Sequence, residues 1–528
     1  MTEHTSTGST VPTQESAGRD PKWWTLVAVC TGVFILLLDI TIVNVALPDI
    51  QVELDASLSD LQWVIDAYAL SLAALLLTAG SLADLFGRRL VFVVGTVLFL
   101  VGSIACGAAQ DVFFLQLARG FQGIGGAAMF ATALALIASA FHGRDRGIAF
   151  GVFGATTGVA VAVGPVLGGV LTSGLSWRWI FFVNIPICLF AIFVALYRVL
   201  ESHDPRAGRP DWFGFVSFSL ALGLLVYGLI HAGQSSWGDT RVVVCLVAAA
   251  LLLAVFVVSQ VLQEHPMFDL GLLRKPTFTG GLLAAFGVSA SIFSLLTYLV
   301  IYVQNVLGYS AVGAGVRFLF LSGTAFFAAG IAGRLTEKVP TKWLIGPGFL
   351  VLGTGLLLLR GIQPDSEWTH LIPGLLVSGV GIGMINTPLA STAVGVVSVD
   401  RAGMASGINS TLRQVGVATG IATLGSIFSH EVADGVTSGL AGTPVAGDAD
   451  RISTAITGGQ VDSVLQAAPA GVREQIAAVA TSSFVDALDH ITVIAAVVAF
   501  TTAVLCFVLI RQQDFVAHPG EGAPAVSE

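Results

Sequence analysis

Residues 24–48 read WTLVAVCTGVFILLLDITIVNVALP, twenty-five positions with one charged side chain, Asp39. A hydrocarbon core of about 30 Å is crossed by about 20 apolar residues at 1.5 Å rise each. The stretch therefore predicts a membrane-spanning helix. Its apolar run is continuous, whereas a barrel strand alternates over about ten residues. Working outward, the pattern recurs. Fourteen segments satisfy it, at roughly 24–48, 61–82, 90–109, 113–139, 147–172, 178–199, 212–232, 241–262, 278–304, 312–333, 342–361, 370–396, 402–430 and 487–510. The expected fold is all-α and integral to the membrane.

Composition agrees. Of the 528 residues, 55% are apolar and 11% are Asp, Glu, Lys or Arg; mean hydropathy is +0.86. A soluble protein carries about 25% charged residues. Soluble enzymes, nucleic-acid binders and disordered scaffolds are excluded. The formal net charge of -9 is spread over short clusters between apolar runs. Cys30, Cys106, Cys188, Cys245 and Cys506 all fall inside those runs, which reads as reduced thiols rather than a disulfide framework or zinc site. No cleavable signal peptide is evident; residues 1–22 read as a polar, disordered tail.

Lys and Arg in loops set the orientation. With the N-terminus inside, sixteen lie on the inner side: Arg19, Lys22, Arg88, Arg89, Arg144, Arg146, Arg198, Arg206, Arg209, Arg274, Lys275, Arg334, Lys338, Lys342, Arg401 and Arg511. Five lie outside: Arg178, Arg241, Arg360, Arg451 and Arg473. Both termini are expected in the cytoplasm.

Ionisable groups inside a span are costly, so each is a functional hypothesis. They are Asp39, Asp66, Arg119, Arg317 and Arg413. Asp39 lies about 13 Å from the outer end of its span. Asp66 and Arg119 sit five and six residues below the outer ends of theirs. One cavity in the outer half of the membrane can hold all three. A carboxylate moved between a dry site and an Arg partner is a proton carrier. Plainer readings stand beside this one. Asp39 can brace a helix, Asp66 can be a wetted vestibule residue, Arg119 can clamp backbone carbonyls, and Arg317 can snorkel outward. No His lies well inside a span, so a haem or metal enzyme loses support and no metal ligands are expected. No GxxxxGK[ST] loop is present, so energy is expected from an ion gradient, with no cofactor.

Between the second and third segments the chain reads Gly80-Ser-Leu-Ala-Asp84-Leu-Phe-Gly87-Arg88-Arg89. This resembles the signature cytoplasmic loop of the major facilitator superfamily. Leu38-Asp39-Ile-Thr41-Ile-Val-Asn44-Val-Ala-Leu-Pro48 resembles the first-span signature of its drug–proton antiporters. Arg119-Gly-Phe-Gln122-Gly123-Ile-Gly-Gly126 resembles their fourth-span motif. Gly154-Ala-Thr-Thr-Gly158 with Gly164-Pro165-Val-Leu-Gly168-Gly169 resembles their fifth-span antiporter motif. Two further stretches resemble the fourteen-span branch: Trp177-Arg-Trp-Ile-Phe-Phe-Val-Asn184-Ile-Pro186, and Gly403-Met-Ala-Ser-Gly407-Ile-Asn409-Ser-Thr-Leu-Arg413-Gln414. The likeness runs from about 24 to 510.

The resemblance implies a 6+2+6 arrangement. A six-helix bundle over 23–200 would be followed by two added helices and linkers over 201–277. A second bundle over 278–511 would include an outer loop at 431–486, before a cytoplasmic tail over 512–528. It implies proton coupling through Asp39 and Arg119, drug binding by Asp39 and Asp66, and polar cavity positions at Asn44 and Gln122. Asn409, Arg413 and Gln414 are possible polar sites of the second half. The fifth segment adds a physical reason. Gly154, Gly158, Val161, Pro165, Gly168 and Thr172 fall in a stripe about 80° wide at ~100° per residue. Small residues admit a close neighbour, and Pro165 permits a kink. Static small-residue packing is the simpler account of the same stripe.

Two departures matter. The second half repeats the loop motif weakly, as Gly330-Ile-Ala-Gly-Arg334-Leu-Thr-Glu337-Lys338, with Arg334 where Asp84 stands; closure of the halves is expected to be asymmetric. The C-terminal half spans hold no acid well inside them, which speaks against strong affinity for divalent cations. The outer loop has no readable motif beyond an amphipathic helix near 472–487.

The expected function is proton-coupled efflux, by alternating access across the inner membrane, of lipophilic, cationic drugs or antibiotics. Partners would be the drug, protons and membrane lipid, with no nucleic acid, and the chain would act as a monomer. A narrow exporter of one antibiotic or metabolite is the alternative on the same fold. An importer, a receptor and a membrane enzyme fit less well: inner loops are short, and no nucleophile–base or metal constellation appears.

Overall fold

The computed structural model describes residues 21–204, 209–234, 236–264, 266–336, 338–458, 461, 465, 468 and 471–516. Most of the tail expected over 1–22, and 517–528 of the tail expected over 512–528, lie outside the described residues.

Every segment singled out by hydropathy is helical. In chain order the helices are α1 (Pro21–Glu53), α2 (Leu58–Phe86), α3 (Arg88–Gly107), α4 (Val112–Ala140), α5 (Arg144–Gly174), α6 (Trp179–Phe182), α7 (Asn184–Arg198), α8 (Trp212–Gln234) and α9 (Thr240–Leu262). There follow α10 (Pro276–Val288), α11 (Ser294–Ile301), α12 (Ala311–Leu335), α13 (Lys342–Leu358), α14 (Ile372–Gly395), α15 (Ala402–Gly439), α16 (Ala449–Thr457) and α17 (Arg473–Leu509). Among the described residues, eleven helical stretches are long and apolar enough to cross a membrane. Among the described residues there is no β-strand.

Helix ends follow local chemistry. Ser57 and Asp60 form a reciprocal capping box at the start of α2, and Asp111 accepts the Phe114 amide at the start of α4; each satisfies amides that a helix start leaves bare. The α6–α7 break has a cause: Pro186 has no N–H to give the Phe182 carbonyl. Between Pro276 and Val306, two π-helical turns, Ser289–Phe293 and Tyr302–Val306, interrupt the helix.

Packing repeats along the chain. In the first six segments α2 meets α4, α3 meets α4, α1 meets α5 and α7, and α3 meets α7. In the last six, α12 meets α14, α13 meets α14, α10 meets α15 and α17, and α13 meets α17. The same pairs occur in the same order. Two seams join these sets, α2 with α15 and α5 with α12. The pair α8–α9 packs on itself and sets α8 against both α2 and α15.

One element differs from expectation. The amphipathic stretch near 472–487 is not a separate helix but the beginning of α17, which starts at Arg473. Its buried positions Ile476, Ala480, Ser483, Phe484 and Ala487 recur every three or four residues, so a polar segment is held by one face. The partner is the extension of α15: a Cβ on Gly435 or Gly439 would meet Ser483 or Val479. The short α16 packs beside them on α15.

Candidate functional site

Asp39 of α1 is fully buried, and so, within 1%, are Arg119 and Gln122 of α4 and Asn184 of α7. Arg119 Nη1 lies 2.5 Å from Asp39 Oδ2 and donates to Gln122 Oε1 at 2.7 Å. Arg119 Nε donates to the Val64 carbonyl at 3.2 Å. Its guanidinium lies 4.2 Å from the centre of the Tyr68 ring. Gln122 Nε2 donates to Asp39 Oδ1 at 3.0 Å and to Ser103 Oγ at 2.7 Å. Asn184 Nδ2 donates to the same two atoms at 3.1 and 3.0 Å. Five elements thus converge on one carboxylate.

A buried ion pair survives desolvation only when further hydrogen bonds complete it, and here each carboxylate oxygen is occupied. Neutralising Asp39 removes the attraction that holds Arg119 in a dry site. The arrangement therefore has two electrostatically distinct states, separated by one proton.

The structure brings Asp39, Arg119 and Gln122 together and leaves Asn44 outside. Asn44 is exposed and its amide donates to the Ile40 carbonyl of its own helix at 3.4 Å. Asp66 is half-buried on α2. The physical reason is helical phase: five residues at ~100° each turn Asn44 about 140° away from Asp39 on α1. Ser103, Tyr68 and Asn184 join the site instead. Asn184 had a signal, since the motif before Pro186 contains it; Ser103 and Tyr68 are ordinary polar positions in apolar helices.

A second polar cluster closes one end of the α2–α15 seam. Asp84 accepts the Gly403 and Met404 amides at 2.8 Å each. It also accepts from Arg88 Nε at 3.0 Å and Nη2 at 2.7 Å. Arg88 reaches on to the Val399 and Asp400 carbonyls. A carboxylate at the start of α15 complements its dipole. Gly87 takes φ +114°, a conformation glycine adopts without strain, and so turns Arg88 back onto Asp84. The Glu201 carboxylate accepts the Arg89 and Leu90 amides at 2.9 and 3.0 Å. A Cβ on Gly80 would stand 2.2 Å from the Gly403 carbonyl oxygen, so the two backbones touch.

The other seam has no such clasp among the described residues. Arg334 is exposed, and Glu337 lies outside the described residues. Here α12 approaches α5 through Gly333, whose added Cβ would stand 2.6 Å from the Gly147 carbonyl oxygen. The small-residue stripe of α5 serves two neighbours. Gly154, Gly158 and Gly169 face α14 or α12 at Thr387, Ser322 and Val312, while Gly164 and Gly168 face α1 at Thr41 and Ile42. Pro165 lies on the α5 backbone between them.

In the second half, Arg413 Nη1 donates to Asn386 Oδ1 at 3.1 Å. Asn409 is 2% exposed and its Oδ1 receives no donor; Gln414 is half-buried. Arg317 reaches back toward the start of α12. It lies 3.3 Å from the Tyr309 ring centre and 4.8 Å from that of Trp368, and donates to the Gly313 carbonyl.

Comparison with known proteins bears on this geometry. The model of the Major Facilitator Superfamily matches residues 29–421. The chain is 37% identical over 406 residues to "Multidrug resistance protein Stp" of Mycobacterium tuberculosis, covering 77% of this chain and 75% of that protein. It is 38% identical over 433 residues to "Puromycin resistance protein pur8" of Streptomyces alboniger, 80% and 86% covered. It is 32% identical over 432 residues to the "Tetracenomycin C resistance and export protein" of Streptomyces glaucescens, 82% and 80% covered. The fold is also that of the crystal structure of the human organic anion transporter MFSD10 (TETRAN), with TM-score 0.58, 14% identity, and coverage of 91% of this chain and 99% of that one.

Proposed function

The chain belongs to the major facilitator superfamily, a family of multi-pass membrane transporters rather than enzymes, and on that footing we propose that it is a drug–proton antiporter. It expels lipophilic, cationic drugs or antibiotics across the cytoplasmic membrane. Fourteen helices cross the bilayer as 6+2+6, with both termini in the cytoplasm and the chain acting as a monomer. The relatives named for resistance to several drugs, or to one antibiotic, support export as the direction. A proton gradient supplies the energy, and no cofactor takes part.

The observation that carries the reading is the sealed Asp39–Arg119 pair. A carboxylate that is 0% exposed, mid-span and tied to a buried cation, has one inexpensive way to break that tie, which is to take a proton. The broken pair leaves Arg119 unpaired in a dry site, and the first bundle must rearrange to satisfy it. The Asp84–Arg88 clasp to α15 is the inner gate that such a rearrangement opens and closes. Alternating access is then rocking of the two bundles about the α2–α15 and α5–α12 seams.

Ethidium efflux from energised cells tests this, with and without a protonophore, in the native chain and in Asp39→Asn. The expected result is protonophore-sensitive efflux that Asp39→Asn abolishes. Efflux that survives Asp39→Asn removes Asp39 as the carrier. No ethidium efflux at all removes the broad cationic-drug reading and leaves a narrow exporter of one antibiotic.

A further inference from the structure

All the groups that face the Asp39 carboxylate donate hydrogen bonds to it. Gln122 Nε2 and Asn184 Nδ2 meet Oδ1, and Arg119 Nη1 meets Oδ2. The shell suits an ionised carboxylate and leaves a carboxylic acid without an acceptor for its hydrogen. A protonated Asp39 therefore needs a neighbour to present oxygen where it now presents N–H.

Two side-chain amides could do so by rotating through half a turn. Gln122 is held: its Oε1 accepts from Arg119 Nη1 at 2.7 Å, and Cys106 Sγ lies 3.7 Å away. Asn184 is not held. Its Oδ1 is buried and receives no hydrogen bond, a rare state for a buried acceptor. Rotated, Oδ1 would take the place of Nδ2, 3.1 Å from Asp39 Oδ1 and 3.0 Å from Ser103 Oγ. It would then accept the carboxylic acid hydrogen and the Ser103 hydroxyl hydrogen together.

The geometry points to Asn184 as the positioning residue that reads the protonation of Asp39, facing the ionised carboxylate with Nδ2 and the acid with Oδ1. The inference rests on the reading that Asp39 exchanges a proton. No bond other than the Asp39 O–H forms or breaks, and the proton is the one being transported. Asn184 opens α7 directly after the break at Val183, so its side chain sits at a joint in the sixth span. The titratable groups around Asp39 are Arg119 from α4, Tyr68 from α2, Cys106 from α3 and Cys188 from α7. Of these only Tyr68 carries a side-chain oxygen; its hydroxyl is buried, makes no hydrogen bond to Asp39 and lies against Gly126.

Infrared difference spectra between high and low pH, on the full chain in liposomes with 13C at the asparagine side-chain carbonyls, test this. The expected result is a carboxylic acid band that Asp39→Asn removes. A labelled amide band moves in the same titration and is lost in Asn184→Ser. An Asp39 band that titrates with no labelled amide band following it overturns the inference and leaves the proton reading standing. Absence of any band that Asp39→Asn removes overturns both. Transport gives a second readout. Asn184→Leu lowers kcat of pH-gradient-driven ethidium efflux about tenfold with KM unchanged, as loss of one hydrogen bond to a charged group implies. Asn184→Ser, whose hydroxyl can donate or accept, keeps kcat within about threefold. Equal kcat in the native, Leu and Ser chains overturns the role.

Discussion

Asp84→Asn should open the inner gate. In the native chain the Asp84 carboxylate is 7% exposed and accepts four hydrogen bonds, two from Arg88 and two from the first amides of α15. The substitution keeps the shape and one acceptor oxygen but puts an NH2 group against donors. Hydrogen bonds to a charged group are worth about 1.5–3 kcal/mol each, and a carboxylate at a helix start adds about 0.3–1 kcal/mol. The Arg88–Asp84 contact lies within the first half and survives gate opening. Only the two α15 amides are exchanged, and water replaces part of them. A net loss of about 2–3 kcal/mol follows, a shift of about 30- to 150-fold in the closed-to-open ratio. Spin labels on His142→Cys and Lys338→Cys report this, since both positions are exposed on loops of opposite halves. Cys30 and Cys245, half-buried, are replaced by alanine in that background. The distance distribution should move to a longer population in Asp84→Asn. A distribution unchanged from the native chain, together with unchanged efflux, would refute the view that Asp84 holds the seam shut.

Three further outcomes follow from the geometry. Gly80→Ala should block closure and cut efflux at least tenfold, because its Cβ would stand 2.2 Å from a backbone oxygen that cannot move aside, whereas Gly158→Ala, 3.6 Å from its nearest contact, should retain efflux within about twofold. Arg334→Ala should leave the same spin-label distribution unchanged, since Arg334 is exposed and takes no part in a clasp equivalent to that of Asp84. Gln122→Ala should reduce pH-gradient-driven efflux by about tenfold or more by leaving Asp39 and Ser103 short of a donor, while Asn44→Ala, which loses one bond to its own helix, should transport at nearly the native rate.

The helices were legible because their signal is local. Each apolar run had to satisfy its own backbone in lipid, and only a helix does so within one segment. The Gly80–Arg89 loop was legible because its turn needs Gly87 and its charges lie within one turn of one another. The helix near 472–487 was legible in its amphipathic pattern; that it runs unbroken into the last span as α17 was not, because it is held by a partner face on α15 that lies some forty residues earlier. That Asn44 faces away from the Asp39 network was not legible, because which face of a span meets the polar network depends on how neighbouring helices pack.

By itself, then, the amino-acid order determined the class of solvent, the position of the apolar helices, and which of them carry charge. It also determined that Asp39 and Arg119 lie at overlapping depths. Only the tertiary structure decided that they meet at 2.5 Å, that Gln122, Asn184 and Ser103 complete the shell, and that Asp84 spans more than three hundred residues of chain to cap α15. The reason is the range of the forces involved. Transfer of an apolar segment into lipid depends on that segment alone, whereas a hydrogen-bonded charge network depends on the phase and approach of five elements at once.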